Sequence, residues 1–285
     1  MSAWLPTSPC TPRHCARTPG PAAPRLRGAA RLAAGVLAVL AGVLLAPLTA
    51  PLGRAARERA TRLWCRAVLR AFGVRVRITG RPDDAGPVLV VANHVSWLDV
   101  PLVAAVLPGR MLAKSEVRTW PVLGPLAARG GTLFLARDRL RALPGTVRDI
   151  TGALRSGSRV VVFPEGSTWC GRSGGRFRSA AFQAALDAGV PVQPVRIAYH
   201  PAGPAAFVGD DPLTTSLWRV ATARALTAEI RIPPPIPAGR HADRRALARA
   251  AQTAVASDSA NRPSSSVHQC ASSSPAAASS PRTPS

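Results

Sequence analysis

At 285 residues the chain has room for one domain with appendages, and its 47% hydrophobic content suffices for a sizeable core, which excludes a wholly disordered protein. The formal net charge is +23, nearly all of it from arginine with Lys114 the only lysine, which implies a polyanionic partner: nucleic acid or an anionic membrane surface. The five cysteines (Cys10, Cys15, Cys65, Cys170 and Cys270) are odd in number and lack metal-ligand spacing, so reduced thiols in a cytosolic setting and no metal are expected.

Residues 1–27 are rich in Pro, Arg and Ala without periodicity and read as a disordered basic arm, or as sequence upstream of the true start. Residues 28–72 read as a membrane anchor followed by an amphipathic helix. Leu32 to Gly53 carries no charge and is long enough to span a bilayer, although Pro47 and Pro51 interrupt its second half. Three readings compete for it: a membrane-embedded helix or re-entrant hairpin, a cleaved signal peptide, and a buried soluble helix. Leu48-Thr49-Ala50 before Pro51 is a poor cleavage site. Arginines on both flanks suit a segment that dips into one leaflet and returns. Arg54 to Phe72 has apolar residues at helical spacing, and Arg57, Arg59, Arg62, Arg66 and Arg70 suit either anionic headgroups or a solvated face.

From Val74 the pattern alternates strand and helix. Strands are predicted at Val74–Ile78, Val88–Ala92, Arg110–Lys114, Thr132–Ala136, Arg159–Phe163, Val190–Ala198 and Leu226–Ile232. Pro191 and Pro194 make the strand at Val190 irregular or place it near an edge. Helices are predicted after Ser96, at Trp120–Ala128, at Leu140–Leu154, at Ala180–Ala188 stopped by Gly189, and at His241–Ala256. The fold class is α/β: a mixed, largely parallel central sheet flanked by helices, with an N-terminal membrane-associated helical segment. Residues 73–256 form this domain, and residues 257–285, rich in Ser, Pro and Ala, are a disordered tail.

Polar groups stand where apolar strands stop, which is where open α/β sheets place ligands. His94 lies in the turn after Ala92 and Asp99 in the first turn of the next helix, so the carboxylate can reach an imidazole nitrogen and leave the other free to take a proton. Ser96-x-x-Asp99 also reads as a weak capping box, with His94 an ordinary turn residue. Gly131 to Arg137 is a strand delivering an arginine. Val161 to Thr168 is a strand ending in Pro164-Glu165-Gly166-Ser167. Val190 to Val195 is the fourth such block.

These four blocks, in this order and spacing, resemble the glycerolipid acyltransferase family that includes the 1-acylglycerol-3-phosphate acyltransferases; the resemblance covers Trp64 to Ala256. It implies transfer of an acyl group from acyl-CoA or acyl-carrier protein to a lysolipid hydroxyl, giving phosphatidate from lysophosphatidate, with no cofactor and no metal. It implies that His94 is the general base and that Asp99 orients it. It implies that Arg137 binds the acceptor phosphate, and that Glu165, Gly166 and Ser167, with Arg178 further on, bind substrate. Ser167 replaces the family's usual threonine, and Phe177-Arg178-Ser179-Ala180 loses the glycine of its Phe-Lys-x-Gly stretch. Residues 207–213 and 216–219 resemble a bacterial subgroup linked to ornithine lipid, so lyso-ornithine lipid is the alternative acceptor. The implied location is the cytoplasmic face of the cell membrane, with anionic lipids as partners. A nucleic-acid-binding protein is disfavoured because no zinc-finger or RNP module appears. A catalytically dead scaffold is disfavoured by the intact His94 and Asp99.

Overall fold

Leu89–Ala92 is apolar at every position and buried at every position, which only a strand covered on both faces achieves. The computed structural model, which describes residues 7–17, 22–82, 86–136 and 139–257, puts this strand in the middle of the sheet. In chain order the elements are α1 (Pro12–Cys15), α2 (Arg25–Leu45), α3 (Arg54–Ala71), β1 (Val74–Thr79), β2 (Leu89–Ala92), α4 (Asp99–Ala104), β3 (Arg110–Lys114), α5 (Leu123–Arg129), β4 (Leu133–Leu135), α6 (Leu143–Arg155), β5 (Val160–Val162), α7 (Ala180–Ala188), β6 (Val192–His200), α8 (Ala202–Ala205), α9 (Leu213–Thr222), β7 (Leu226–Arg231) and α10 (Arg244–Ala256). Among the described residues seven strands form one sheet in the order β1-β7-β6-β2-β5-β3-β4. Every pairing is parallel except β6 with β7.

Side chains alternate across β2. Val90 and Ala92 join Leu69, Phe72, Leu98, Leu102 and Val220 in a core under α3, α4 and α9. Leu89 and Val91 join Ile150, Leu154, Phe182, Leu247 and Ala251 under α6, α7 and α10. The domain is thus three layers, with the sheet between two layers of helices.

β6 lies inside the sheet, between β7 and β2, so the prolines do not mark an edge. The register explains their tolerance. Pro191 O accepts from Leu89 N, and Ile197 N donates toward the β2 side, so odd residues face β2. Even residues face the other way, as Val192 does in bonding Ile236. Pro194 is on that side, ahead of the first β7 pairing at Arg196, so no ladder hydrogen bond asks for its missing N–H.

The N-terminal region is more ordered than composition suggests. Within the arm expected to be disordered, residues 7–17 include α1 and bury Cys10 and Cys15, and α2 already begins at Arg25. Pro47 ends the α-helix as expected, in a 3₁₀ turn over Ala46–Thr49. Gly28, Gly35 and Gly42 recur every seventh residue on the inner face of α2. A Cβ at Gly35 would lie 2.4 Å from the Phe72 ring, and one at Gly42 2.3 Å from Trp64. Only glycine lets α2 lie this close to α3 and α9. Arg31 fixes the alignment by donating to Ala221 O and Ala223 O at 3.2 and 2.7 Å. The outer face, with Leu37, Leu40, Leu44 and Leu48, is exposed. The span Arg25–Thr49 is long and apolar enough to cross a membrane and only 6% buried, which removes the buried-helix reading. Most of the expected tail, residues 258–285, lies outside the described residues.

Candidate active site

Three adjacent strands, β6, β2 and β5, end on the same edge of the sheet and carry the site. After β2 the chain leaves the sheet at Asn93, whose side chain takes over the ladder. Its amide accepts from Ile197 N at 2.8 Å and donates to Ile197 O at 2.9 Å, so the turn stays pinned to β6. The backbone of His94 is held from both sides: its N–H donates to Glu165 Oε2 at 3.0 Å, and its carbonyl accepts from Trp169 N at 2.7 Å. The imidazole lies against Phe163, with centroids 4.2 Å apart and planes at 17°.

His94 Nδ1 is 2.8 Å from Asp99 Oδ2. The helix begins at Asp99 itself rather than after Ser96, and Leu98 at its start makes no side-chain cap. Ser96 Oγ instead accepts from Leu98 N at 3.3 Å, inside the turn. Asp99 turns back, and Oδ2 also accepts from Val95 N at 2.6 Å and Ser96 N at 2.9 Å. Oδ1 accepts from Tyr199 Oη at 2.7 Å. Asp99 is 0% exposed, so these donors replace the water that a buried carboxylate would otherwise lack. A carboxylate only accepts. A neutral imidazole beside it therefore carries its proton on Nδ1 and its lone pair on Nε2.

Glu165, which the resemblance implies binds substrate, stands on the wall of a cavity and among backbone donors. It is 5% exposed, and both oxygens are engaged by the backbone, Oε2 by His94 N and Oε1 by Gly175 N at 3.1 Å. Burial pushes its carboxyl up to about 8, against the pull of those two N–H groups and with Asp99's charge adding to the rise. Glu165 thus ties the His94 turn to the loop at Gly175. Gly166 takes φ +76° in the turn closed by its N–H to Phe163 O, a conformation that suits glycine. Ser167 Oγ is buried without a hydrogen-bond partner among the described residues. Arg178 is exposed and lines a cavity of about 370 Å³ with Glu165, Trp169, Arg176, Arg245 and Arg249. A larger cleft of about 570 Å³ beside α7 and α10 touches none of the four blocks.

Arg137 lies outside the described residues. The strand that precedes it, β4, is the sheet edge, three strand spacings or about 14 Å from β2. Sequence reasoning missed Tyr199, and it placed Asn93 in the first block, before His94, without its tie to Ile197. Tyr199 is the chain's single tyrosine, near the end of β6, and that singularity was the available signal.

A family model described as acyltransferase matches residues 73–198. The chain is 40% identical over 203 residues to a lyso-ornithine lipid O-acyltransferase of Pseudomonas aeruginosa, covering 70% of this chain and 78% of the relative. It is 37% identical over 199 residues to a 1-acyl-sn-glycerol-3-phosphate acyltransferase of Neisseria meningitidis, covering 67% and 77%. The crystal structure of PlsC, the 1-acyl-sn-glycerophosphate acyltransferase of Thermotoga maritima, has the same fold. Its TM-score is 0.59 at 21% identity, over 82% of this chain and 99% of that one.

Proposed function

The chain belongs to the acyltransferase family of glycerolipid and lysolipid biosynthesis, and from that premise we propose that it acylates the free hydroxyl of a lysolipid through His94 and Asp99. One observation carries the proposal: a stacked imidazole whose Nδ1 faces a buried carboxylate that three further donors hold in place. In this reading Nε2 of His94 takes the hydroxyl proton as the oxygen attacks the thioester carbonyl of acyl-CoA or acyl-carrier protein. The tetrahedral intermediate collapses and the C–S bond breaks. The leaving thiolate takes the proton back from the imidazolium, so no acyl-enzyme forms. Asp99 stabilises the imidazolium, and Tyr199 and Glu165 are positioning residues. Ser167 Oγ contacts the acceptor, and Arg137 binds its phosphate.

Lysophosphatidate is the acceptor best matched by the four arginines around the cavity beside Glu165, because guanidinium groups suit phosphate. The relative at 40% identity supports lyso-ornithine lipid as the second reading. The outward leucines of α2 and the arginines of α3 would seat the enzyme on an anionic membrane surface. The deciding assay offers both acceptors side by side with labelled acyl-CoA to membranes carrying the protein. Product from lysophosphatidate is expected. Product from lyso-ornithine lipid alone would move the acceptor, and a donor swap to acyl-carrier protein would settle the donor.

A further inference from the structure

Three cysteines that no step above uses meet in the fold. Cys10 and Cys15 come from the N-terminal segment, and Cys170 comes from the loop after β5. Their sulfurs all lie within 4.8 Å of one another. All three residues are buried, at 2%, 3% and 1% exposure, and Ala206, Val208 and Trp169 close an apolar shell around them. None is joined in a disulfide. Sequence spacing alone could not pair them, because the third thiol is 155 residues from the second.

Backbone N–H groups point at two of the three sulfurs, although burial pushes the Cys10 thiol up. Backbone N–H groups of Arg172 and Ser173 donate to Cys170 Sγ, and the Cys170 N–H donates to Cys10 Sγ. The Ser173 hydroxyl lies 3.7 Å from Cys170 Sγ. N–H groups directed at sulfur are the outer-shell contacts that orient and tune metal-bound thiolates. The arm that brings Cys10 and Cys15 runs over bare backbone. A Cβ at Gly203 would lie 1.8 Å from Arg17 O, and one at Gly209 3.2 Å from Cys10 O. The segment is therefore fitted to this place.

We propose that Cys10, Cys15 and Cys170 hold one thiophilic d¹⁰ metal ion, zinc(II) or copper(I), which clips the N-terminal segment to the loop carrying Glu165 and Trp169. Soft thiolates select these ions. Sulfurs bound to one tetrahedral ion at about 2.3 Å are about 3.8 Å apart, so the three thiols need only a small contraction. So small a triangle suits a single ion rather than an iron–sulfur cluster, whose thiolates sit on different irons. Binding releases the thiol protons and leaves a fourth position for solvent or, with copper(I), none. The clip has a consequence for the site, because Trp169, next to Cys170, holds the His94 carbonyl.

The test uses the full chain purified in detergent under reducing conditions. Elemental analysis is expected to find about one equivalent of metal per chain, and its identity separates zinc from copper. Cobalt(II) added to the stripped protein should give intense thiolate charge-transfer absorption that zinc(II) bleaches. Cys10→Ser and Cys170→Ser should lose both signals, whereas Cys65→Ala, a buried thiol elsewhere in the core, should keep them. If the serine variants fail to fold, the cobalt spectrum of the unaltered chain decides. A reduced wild-type protein with no stoichiometric metal and no cobalt band would overturn the proposal, as would a disulfide between two of the three in protein purified without reductant.

Discussion

Asp99 holds four hydrogen bonds without exposing an atom, and the one from Tyr199 is the easiest to remove without moving the chain. Tyr199→Phe leaves a buried carboxylate oxygen short of its donor, a loss of about 1–3 kcal/mol. Steady-state kinetics should show kcat down by about tenfold with the acceptor KM unchanged. A raised KM at constant kcat would place Tyr199 against the substrate instead. Glu165 makes a different prediction. In the unfolded chain its proton leaves near pH 4.5, whereas in the folded chain it stays until about 8. The folded state binds more protons between those values, so this group lowers stability as pH rises through that window and adds nothing further above it. The drop amounts to a few kcal/mol. Glu165→Gln should flatten it, at the expense of one backbone hydrogen bond that an amide nitrogen cannot accept. Denaturant melts from pH 5 to 8 compare the two slopes, and parallel slopes would contradict the assignment. These residue-scale roles were only half visible in the sequence. His94 and Asp99 stood out through the four blocks taken together rather than through their own spacing. Glu165 read as a substrate contact through the resemblance, and nothing in a sequence adds that both its oxygens meet backbone N–H groups. Beyond being the single tyrosine, Tyr199 carried no signal of its role, because its partner is 100 residues away.

At the scale of elements, local chemistry was the legible part. Gly189 stops α7 in a left-handed conformation, as its position after an apolar helix implied. The strand runs were placed to within one or two residues. The misreading of β6 shows where local rules end. Proline argues for an edge only if its nitrogen faces a ladder, and that depends on the register of β7, which no local pattern encodes. The antiparallel entry of β7 was hidden for the same reason. The element that invites the clearest experiment is α2. Its glycine face is spent on Phe72 and Trp64, while Leu37, Leu40 and Leu44 are 65%, 38% and 76% exposed. Each leucine transferred into lipid contributes about 1.5–3 kcal/mol, so replacing all three by serine should weaken binding to anionic vesicles by more than about 100-fold. The thermal midpoint should hardly move, because these side chains do not support the domain. Vesicle sedimentation gives the answer, and undiminished binding would assign membrane contact to the arginines of α3.

At the scale of the molecule, the sheet, the packed N-terminal helices and the loop after β5 all converge on one turn of backbone, residues 93 to 99. β2 delivers it, Asn93 ties it to β6, and Glu165 and Trp169 hold it from the β5 side. In the proposed reaction this arrangement fixes an imidazole with its Nε2 lone pair ready for a hydroxyl proton. The direct measurement is acyl transfer by purified wild-type and His94→Ala protein at equal folded concentration, with the fold checked by circular dichroism. His94→Ala is expected to keep its fold and to lose about 10²- to 10⁴-fold in kcat/KM. A folded His94→Ala enzyme with near-normal turnover would contradict the proposed reaction.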